Sequence, residues 1–355
     1  MYKNLFPFFK NNPHINYLDN AATTHKLDSI VNTINSLYTE RYATVNRTSS
    51  VQGANISTDF DNARITIAQF INADPDEIIF VQNTTDALNF ASYSLRKLYS
   101  KVFTTYLEHK SNYLPWQRFY ETSFYDSREA LDNSILTIPH ISNTTGMVLP
   151  VKELAKEIHA KNGILVVDGA QGIAHQLVDV KDLDCDMYAF SGHKLYGPVG
   201  IGVLYIKRSL QDKIEPYRLG DGEHKFEAGT PNFIQVIALA EGLKQLATIG
   251  MKNILEYETT LFDILLTEMN ELSELNIIGN PDASIIGFTI DGVHPLDIAE
   301  HLASQNIAIR AGHHCAPIAM EMLEQESIAR VSLGMYNTLD DIYDFLDALD
   351  QLRFL

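Results

Sequence analysis

The segment IRAGHHCAPIAM, residues 309–320, places two histidines and a cysteine side by side. His313, His314 and Cys315 are residue types that bind metal ions, and a cysteine thiolate is also a nucleophile. Zinc sites usually draw their ligands from spaced pairs, such as C-x₂-C or H-x₃-H. No second cluster of cysteine and histidine stands nearby in the sequence. The pattern therefore favours a reactive thiol over a metal site, and no bound metal is expected.

Other residues capable of chemistry follow short apolar segments that have the character of β-strands. These segments alternate with helical patterns such as VKELAKEIHAKN, which is typical of an α/β protein with a mostly parallel sheet. The strand-like segments are EIIFVQ (77–82), KVFTTYL (101–107), SILTIPHI (134–141), GILVVD (163–168), DMYAFS (186–191) and GVLYIK (202–207).

Ligands of open α/β sheets bind beyond the carboxyl ends of the strands. Thr84 and Thr85 follow the first segment and open a helix, whose free N–H groups can hold a phosphate. The residues near the other strand ends are His109, Asn143, Asp168, Gln171, Ser191, His193 and Lys194. Each one alone is better explained as a helix cap or a solvated side chain. Together they are the groups that pyridoxal 5′-phosphate (PLP) requires, namely a lysine, a carboxylate, a flat ring, amide donors and a phosphate cradle.

The composition narrows the class of protein. The chain has 355 residues, of which 45% are apolar and 20% are charged, as in ordinary globular proteins. A formal net charge of −18 argues against a nucleic-acid surface or a basic membrane-docking surface. No apolar run approaches the ~18 residues that span a bilayer. The two cysteines, Cys185 and Cys315, form no disulfide framework, so a reduced, cytoplasmic protein is expected.

The pattern also predicts two domains. A long helical segment follows Pro231 and Asn232, and a second set of strand and helix patterns fills the remainder of the chain. We expect a large domain at residues 18–235 and a small domain at 236–355. The N-terminal arm, residues 1–17, is expected to pack on the small domain.

The segment VVDGAQGIAHQLVDVKDLDCDMYAFSGHKLYGPVGIGVLY closely resembles the PLP-binding core of class V, fold-type I aminotransferases. Within that family it looks like the cysteine desulfurase/selenocysteine lyase group with an RxGHHCA motif. The motifs YLDNAATT, LEHKSNYLPWQ, FEAGTPN, RAGHHCA and ARVSLGMYNT agree, in the order of the family. The resemblance runs from about Tyr17 to the C-terminus and implies the PLP-dependent transferase fold type I.

The resemblance assigns roles to the residues that match. Lys194 matches the lysine that bonds to PLP and moves protons, and Asp168 matches the partner of the ring nitrogen. His109 matches the imidazole stacked on the ring. Asn143 and Gln171 match the residues that hold the phenolic oxygen, and Asn143 is also expected to contact the substrate. The matching phosphate cradle consists of Thr84, Thr85, Ser191 and His193.

The resemblance also implies a reaction and partners. Cys315 matches the cysteine that takes sulfur from L-cysteine as a persulfide, which leaves L-alanine, and iron–sulfur cluster assembly is the expected use. The thiolate is the required form, and His313, His314 and Arg310 are expected to favour it. Arg330, and more weakly Arg310, match arginines near the substrate carboxylate. Thr230 matches a residue that the family contributes across a homodimer interface, and a small sulfur-acceptor protein is an expected partner. Cys185 is interpreted as a structural cysteine.

Several segments depart from the family pattern. Arg47 is kept, but Asn46 and Ser50 replace two histidines near the expected site entrance. Residues 117–139 form a shorter connection than usual, and the hairpin expected before Phe226 is missing. The proline that normally follows the cysteine stands one position early, at Pro317.

Two further hypotheses remain open at the level of sequence. One is a related PLP enzyme, such as a selenocysteine lyase, a cysteine sulfinate desulfinase or an aminotransferase for another small amino acid. The other is a PLP-fold protein that acts as a scaffold or regulator, which the shortened loops suggest and the retained site residues oppose.

Overall fold

The computed structural model describes residues 2–46, 49–126, 131–222 and 224–352, so Arg47 of the altered segment lies outside the described residues. The strands are β1 Asn16–Tyr17, β2 Ile78–Val81, β3 Lys101–Thr104, β4 Glu121–Phe124, β5 Ile135–Pro139, β6 Ile164–Asp168, β7 Met187–Ser191, β8 Gly202–Ile206, β9 Leu275–Ile278, β10 Ile285–Ile290, β11 Ile307–Ala308, β12 Arg310–Gly312 and β13 Ile328–Ser332.

The helices lie mainly between these strands, as the alternating pattern predicts. They are α1 Pro7–Asn11, α2 Asp28–Thr39, α3 Val51–Phe70, α4 Thr84–Leu95, α5 Leu114–Gln117, α6 Val151–His159, α7 Gly172–His175, α8 Val180–Leu183, α9 Arg208–Gln211, α10 Phe233–Ile249, α11 Met251–Asn270, α12 Pro295–Ser304, α13 Pro317–Met322 and α14 Leu339–Leu352. Within the described ranges, no helix has the length and apolar character needed to cross a bilayer.

The large sheet has seven strands among the described residues, in the order β2-β8-β7-β6-β5-β3-β4. The strands from β7 to β4 pair in parallel, whereas β8 runs antiparallel to both of its neighbours. All five residues of each of β5 to β8 are buried, because helices cover both faces of a parallel sheet. The predicted α/β fold with a mostly parallel sheet is confirmed.

Strand β4 was not predicted, although the other six strands of the large sheet were. Its sequence, ETSF, lacks the apolar run of a central strand, and its residues are exposed or only half-buried. Among the described residues it pairs with β3 alone, at the edge of the sheet. An edge strand with one partner needs little apolar character, so the hydrophobic pattern gives no signal there.

A second sheet, in the order β12-β13-β10-β9, is antiparallel and packs with α11, α12 and α14. Its core includes Phe288 and Phe345, both fully buried. The register places Arg310 of β12 directly opposite Arg330 of β13. This pairing brings the two predicted substrate-binding arginines to neighbouring positions of one sheet.

Helix α10 bears on the predicted domain boundary at residue 235. Its buried side chains, from Phe233 to Leu246, join the core that covers the large sheet, and the helix packs on α2 and α3. Helix α11 packs instead on α14 and β9. This packing supports a division near Gly250, between the two helices, and the division into domains itself remains a prediction.

The N-terminal arm contacts both parts of the molecule, rather than the smaller part alone. Strand β1 pairs in parallel with β11, and Lys3 forms an ion pair of 2.8 Å with Asp341. Phe6, however, is fully buried, and its ring centroid lies 5.8 Å from that of Tyr196 in the core of the large sheet. The arm therefore fastens the two sheets to each other.

Candidate active site

A cavity of about 270 Å³ lies beyond the carboxyl ends of the parallel strands and extends to the second sheet. Every site residue that the sequence predicted lines this cavity, with the exceptions of Thr230 and His313. The convergence follows from the topology, because parallel strands end at one edge of the sheet. The individual roles of these residues remain predictions.

One end of the cavity is built as an anion site at the N-terminus of α4. The Ser191 hydroxyl accepts a hydrogen bond from the Thr84 N–H at 2.7 Å, and the two hydroxyls lie 2.7 Å apart. A Cβ atom on Gly202 would lie 2.6 Å from the Asn83 Cα, so glycine is needed for β8 to pass beneath this helix. Two adjacent hydroxyls at the N-terminus of a helix suit a phosphate.

His193 stands beside this helix N-terminus and acts there as a neutral group. Its Nδ1 lies 3.1 Å from the Thr23 hydroxyl. Burial and the nearby Lys194 and Lys26 lower the pKa of His193 to about 4. At neutral pH the ring can therefore offer a phosphate a hydrogen bond but no positive charge.

Asp168 and Lys194 both line the cavity, close enough for their charges to interact. Asp168, at the end of β6, is buried and accepts a hydrogen bond of 2.9 Å from the Ala170 N–H. Burial raises the pKa of Asp168, although Lys194 opposes the shift. Burial likewise lowers the pKa of Lys194 to about 8, so a reactive neutral amine is accessible near neutral pH.

The His109 ring belongs to a loop that follows β3. Its Nδ1 accepts a hydrogen bond of 3.1 Å from the Ser111 N–H, so the ring hydrogen resides on Nε2. Burial, and then Lys194 and the two arginines, lower the pKa of His109 to about 4. A neutral ring in this position is suited to stacking on a flat ligand.

Arg330 is the most deeply buried cation of the cavity. Its guanidinium donates to the Asn143 carbonyl at 2.8 Å and to the Asp19 carboxylate at 2.9 Å. Its Nε–H is buried and has no hydrogen-bond partner among the described residues. A buried, unpaired donor beside bound ones is a fit for a carboxylate ligand. Arg310, by contrast, is exposed at the rim.

The two amides predicted to contact the cofactor also hold the main chain. Asn143 donates from Nδ2 to the His314 carbonyl at 2.9 Å, and Gln171 donates from Nε2 to the Ala21 carbonyl at 2.8 Å. Each amide nitrogen has a second hydrogen for a ligand. Asn143 thus joins Arg330, through its own carbonyl, to the segment that carries the cysteine.

The Cys315 thiol lies exposed on a strained turn. His314 and Cys315 both adopt left-handed backbone conformations, with φ of 50° and 56°. The Lys110 N–H donates to the Cys315 carbonyl at 2.8 Å, and α13 begins two residues after the cysteine, at Pro317. Left-handed non-glycine residues cost of order 1–3 kcal/mol each and tend to occur at functional sites.

His314 does not supply the positive charge that the sequence suggested for the thiolate. Its side chain is buried, and its Nε2–H donates to the Ile328 carbonyl at 3.0 Å. Burial, followed by Arg330, lowers the pKa of His314 to about 3, so the ring is neutral. Its role is to fasten the turn. Cys185 is fully buried, and burial raises the pKa of its thiol, in agreement with a structural role.

Thr230 lies outside the cavity of its own chain. It is exposed and borders a different depression, together with Asn46 and Asp221. The loop that holds it is anchored by Glu227, which forms a nearly buried ion pair of 2.7 Å with Arg64. Between Arg218 and Phe226 the described residues contain no strand, as expected from the missing hairpin.

Two residues of the site region received no role from the sequence. Asp19 pairs with Arg330, 311 positions away, and Glu108 lies buried beneath the loop that carries His109. Asp19 lies within the motif YLDNAATT and Glu108 within LEHKSN. Membership of these motifs was the only feature of the sequence that could have pointed to a role for either residue.

Comparisons with known proteins decide the family. The model of the class V aminotransferases matches residues 16–126 and 125–345. The chain belongs to the class V aminotransferase family. A probable cysteine desulfurase of Pseudomonas putida is 35% identical, over 95% of this chain and 94% of that protein. A cysteine desulfurase of Enterobacter sp. is 33% identical, over 96% of this chain and 93% of that protein.

Solved structures of this class V group share the fold throughout. The apo structure of a cysteine desulfurase from Thermococcus onnurineus has a TM-score of 0.94 at 31% identity, covering 99% of this chain and 98% of that one. A cysteine desulfurase from Escherichia coli, in its S-sulfonic acid form, has a TM-score of 0.90 at 28% identity, covering 100% and 98%. The alignment to the P. putida protein spans 376 positions, more than the 355 residues of this chain, so that relative carries segments that are missing here.

The class V family uses PLP, and the residues of the cavity fit that group. Asp168 is a buried carboxylate that forms no ion pair with another described residue, so it can pair with a protonated ring nitrogen. Lys194 has a depressed pKa, as an amine that attacks an aldehyde requires. The Thr84–Ser191 pair at the start of α4 suits the phosphate.

Proposed function

We propose that this protein is a PLP-dependent cysteine desulfurase that converts L-cysteine to L-alanine and takes the sulfur onto Cys315 as a persulfide. The observation that carries the proposal is the common cavity: Cys315, the buried Arg330, Lys194 and Asp168 all line one space. A carboxylate-bearing thiol substrate is complementary to these groups. The related proteins named cysteine desulfurases support the same activity.

The cavity residues have separate tasks in the proposed reaction. When bound, PLP would supply an electron sink, and Asp168 would hold its ring nitrogen. Arg330 binds the substrate carboxylate, which sets the α-carbon before Lys194. The Lys194 amine removes the α-proton and later returns a proton to the product.

Sulfur transfer then depends on the exposed cysteine. The Cys315 thiolate bonds to the substrate sulfur as the carbon–sulfur bond breaks, and the electron pair of that bond stays with the carbon. Protonation of that carbon gives alanine, and the transferred sulfur remains on Cys315 as a persulfide. Cys315 lies on the surface of the cavity, where a second thiol can reach the persulfide.

The proposal includes partners that the family resemblance implies. Thr230 is exposed, and so is Tyr42, at 62%; the Tyr42 ring centroid lies 5.9 Å from that of Phe233, three residues after Thr230. An exposed aromatic residue, together with an exposed Thr230 that does not line the cavity of its own chain, supports a homodimer in which Thr230 completes the partner's site. A small sulfur-acceptor protein, sulfur supply for iron–sulfur clusters and a cytoplasmic location complete the proposal.

The uptake of PLP by the protein freed of cofactor is expected to accelerate with pH. Only the neutral Lys194 amine attacks an aldehyde, and its pKa is lowered to about 8. About a tenth of the amine is therefore neutral at pH 7, against less than a thousandth for an ordinary lysine. The rate of binding, followed by the absorbance of bound PLP, should rise between about pH 6 and pH 9 and then level off. A midpoint near the ordinary lysine pKa would show that burial does not tune this amine.

The direct test of the function is to incubate the purified protein, loaded with PLP, with L-cysteine and a thiol reductant. We expect alanine and sulfide in equal amounts. Lys194→Ala is the matched control and should form neither product. If the wild-type protein binds PLP at Lys194 but forms no alanine from cysteine, the proposed substrate is wrong.

A further inference from the structure

Glu108 is a buried carboxylate close to the site, and it has no role in the reaction described above. It is only 1% exposed. One of its oxygens accepts hydrogen bonds from the Thr105 hydroxyl at 2.9 Å and the Thr105 N–H at 3.3 Å, and the other accepts from the Asn112 Nδ2 at 2.7 Å. None of these partners is cationic, and burial raises the pKa of Glu108 well above its ordinary value. Burying a carboxyl group without a charged partner costs folding free energy, so a specific role is expected for Glu108.

The orientation of Asn112 is fixed by its neighbours. Its Oδ1 accepts hydrogen bonds from the Trp116 Nε1–H at 3.2 Å and the Thr137 hydroxyl at 2.7 Å. Asn112, Trp116 and Thr137 are all fully buried. With its oxygen occupied by two donors, the amide must turn its nitrogen to Glu108, whose facing oxygen accepts the hydrogen bond.

The chain between Thr105 and Asn112 carries two contacts that the reaction needs. One is the His109 ring, which lines the cavity and whose carbonyl accepts from the Asn112 N–H at 2.8 Å. The other is the Lys110 N–H, which donates to the Cys315 carbonyl at 2.8 Å. Glu108 grips this segment at both ends, at Thr105 and at Asn112.

We propose that Glu108 is a positioning residue, which acts through Asn112 to set both the His109 ring and the turn that carries Cys315. The inference rests on the proposed function for the importance of these two residues. The hydrogen bonds of Glu108 to Thr105 and Asn112, called the brace below, can be tested without catalytic turnover. Glu108 touches neither substrate nor cofactor in this scheme, since it does not line the cavity.

Glu108→Gln tests the brace because it keeps the shape and changes one acceptor into a donor. The new amide can still accept from Thr105, but its nitrogen then faces the Asn112 nitrogen. If Asn112 turns over, its nitrogen faces the Trp116 N–H instead, so one conflict remains in either orientation. In Glu108→Gln/Asn112→Asp, the aspartate accepts from Gln at 108, from Trp116 and from Thr137, so each of these donors again faces an acceptor.

The matched control is Glu77→Gln, a change of the same chemistry remote from the cavity. Glu77 is 5% exposed and accepts from the Asp74 N–H at 3.0 Å and the Arg208 N–H at 2.9 Å. It should lower the melting temperature without altering the site. Comparison with this variant separates a loss of folding stability from a displacement of His109 and the Cys315 turn.

Three measurements are compared across these variants. The first is hydrogen exchange at the Lys110 amide in protein free of PLP, which should be about tenfold faster in Glu108→Gln. The second is the visible circular dichroism of bound PLP, which should change with the seating of His109. The third is kcat/KM for L-cysteine, which should fall about 10- to 100-fold, chiefly in kcat. The double variant should restore all three towards wild-type values.

The proposal is overturned if Glu108→Gln lowers the melting temperature as Glu77→Gln does, but leaves exchange at Lys110 and the PLP spectrum unchanged. It is also overturned if the double variant folds and fails to restore them. If wild-type protein makes no alanine, the exchange and spectral results still decide the role of Glu108. Failure of the proposed desulfurase activity is thus distinguishable from failure of the brace.

Discussion

Cys315→Ala is expected to abolish alanine formation from L-cysteine, with a loss of about three orders of magnitude or more. Without the thiol, no group of the chain is left at this position to receive the sulfur. Binding of PLP should be unaffected, because the cofactor contacts lie on other elements and the Cys315 side chain is exposed. The measurement is the rate of alanine release, together with the absorbance of bound PLP in the same sample.

The same variant separates the proposed function from its nearest alternative. Selenium and sulfinate can leave the amino acid without a protein thiol, so Cys315→Ala should still release alanine from selenocysteine and from cysteine sulfinate if these are substrates. Cys185→Ala serves as the control for loss of a thiol, since Cys185 is buried away from the cavity. Degradation of cysteine by Cys315→Ala at the wild-type rate would rule out the persulfide mechanism.

Arg330→Lys is expected to reduce kcat/KM for L-cysteine by about 100-fold or more, mainly by raising KM. The size of the loss follows because each buried hydrogen bond to a charged group contributes about 1.5–3 kcal/mol. The guanidinium already holds Asn143 and Asp19 and still has a buried Nε–H to offer. A lysine ammonium is a single point and cannot reach these partners and a carboxylate together.

Two controls make the Arg330 result specific. Arg310→Lys changes the residue directly across the strand pair, at the exposed rim, and should cost less than tenfold. Cysteamine, which lacks the carboxylate, should bind wild type and Arg330→Lys with similar affinity. If kcat/KM falls more in Arg310→Lys than in Arg330→Lys, Arg310 and not Arg330 binds the substrate carboxylate.

Much of the site could be predicted because its residues obey a rule of topology. Thr84, His109, Asp168 and Lys194 follow apolar segments that are recognisable as strands, and parallel strands deliver such residues to one edge of a sheet. The family motifs then supplied the role expected for each. Strand β4 was missed because its exposed, polar sequence has no apolar signature.

The charge state of His314 illustrates what the sequence could not tell. As a neighbour of Cys315 in the chain, it was expected to favour the thiolate. Only the fold shows that its ring turns inward to the Ile328 carbonyl, where burial removes its charge. Proximity in sequence does not fix the direction of a side chain on a turn of left-handed residues.

The sequence by itself determined the α/β class, the motifs of the family and the set of reactive groups, because these depend on local patterns of residue type. The tertiary structure decided which of these groups meet and in what state. The pairing of Asp19 with Arg330, the grip of Asn143 on the cysteine turn and the brace of Glu108 join residues on separate elements. The depressed pKa of Lys194 arises from burial. Burial and long-range contact are properties of the packed chain, and no local pattern contains them.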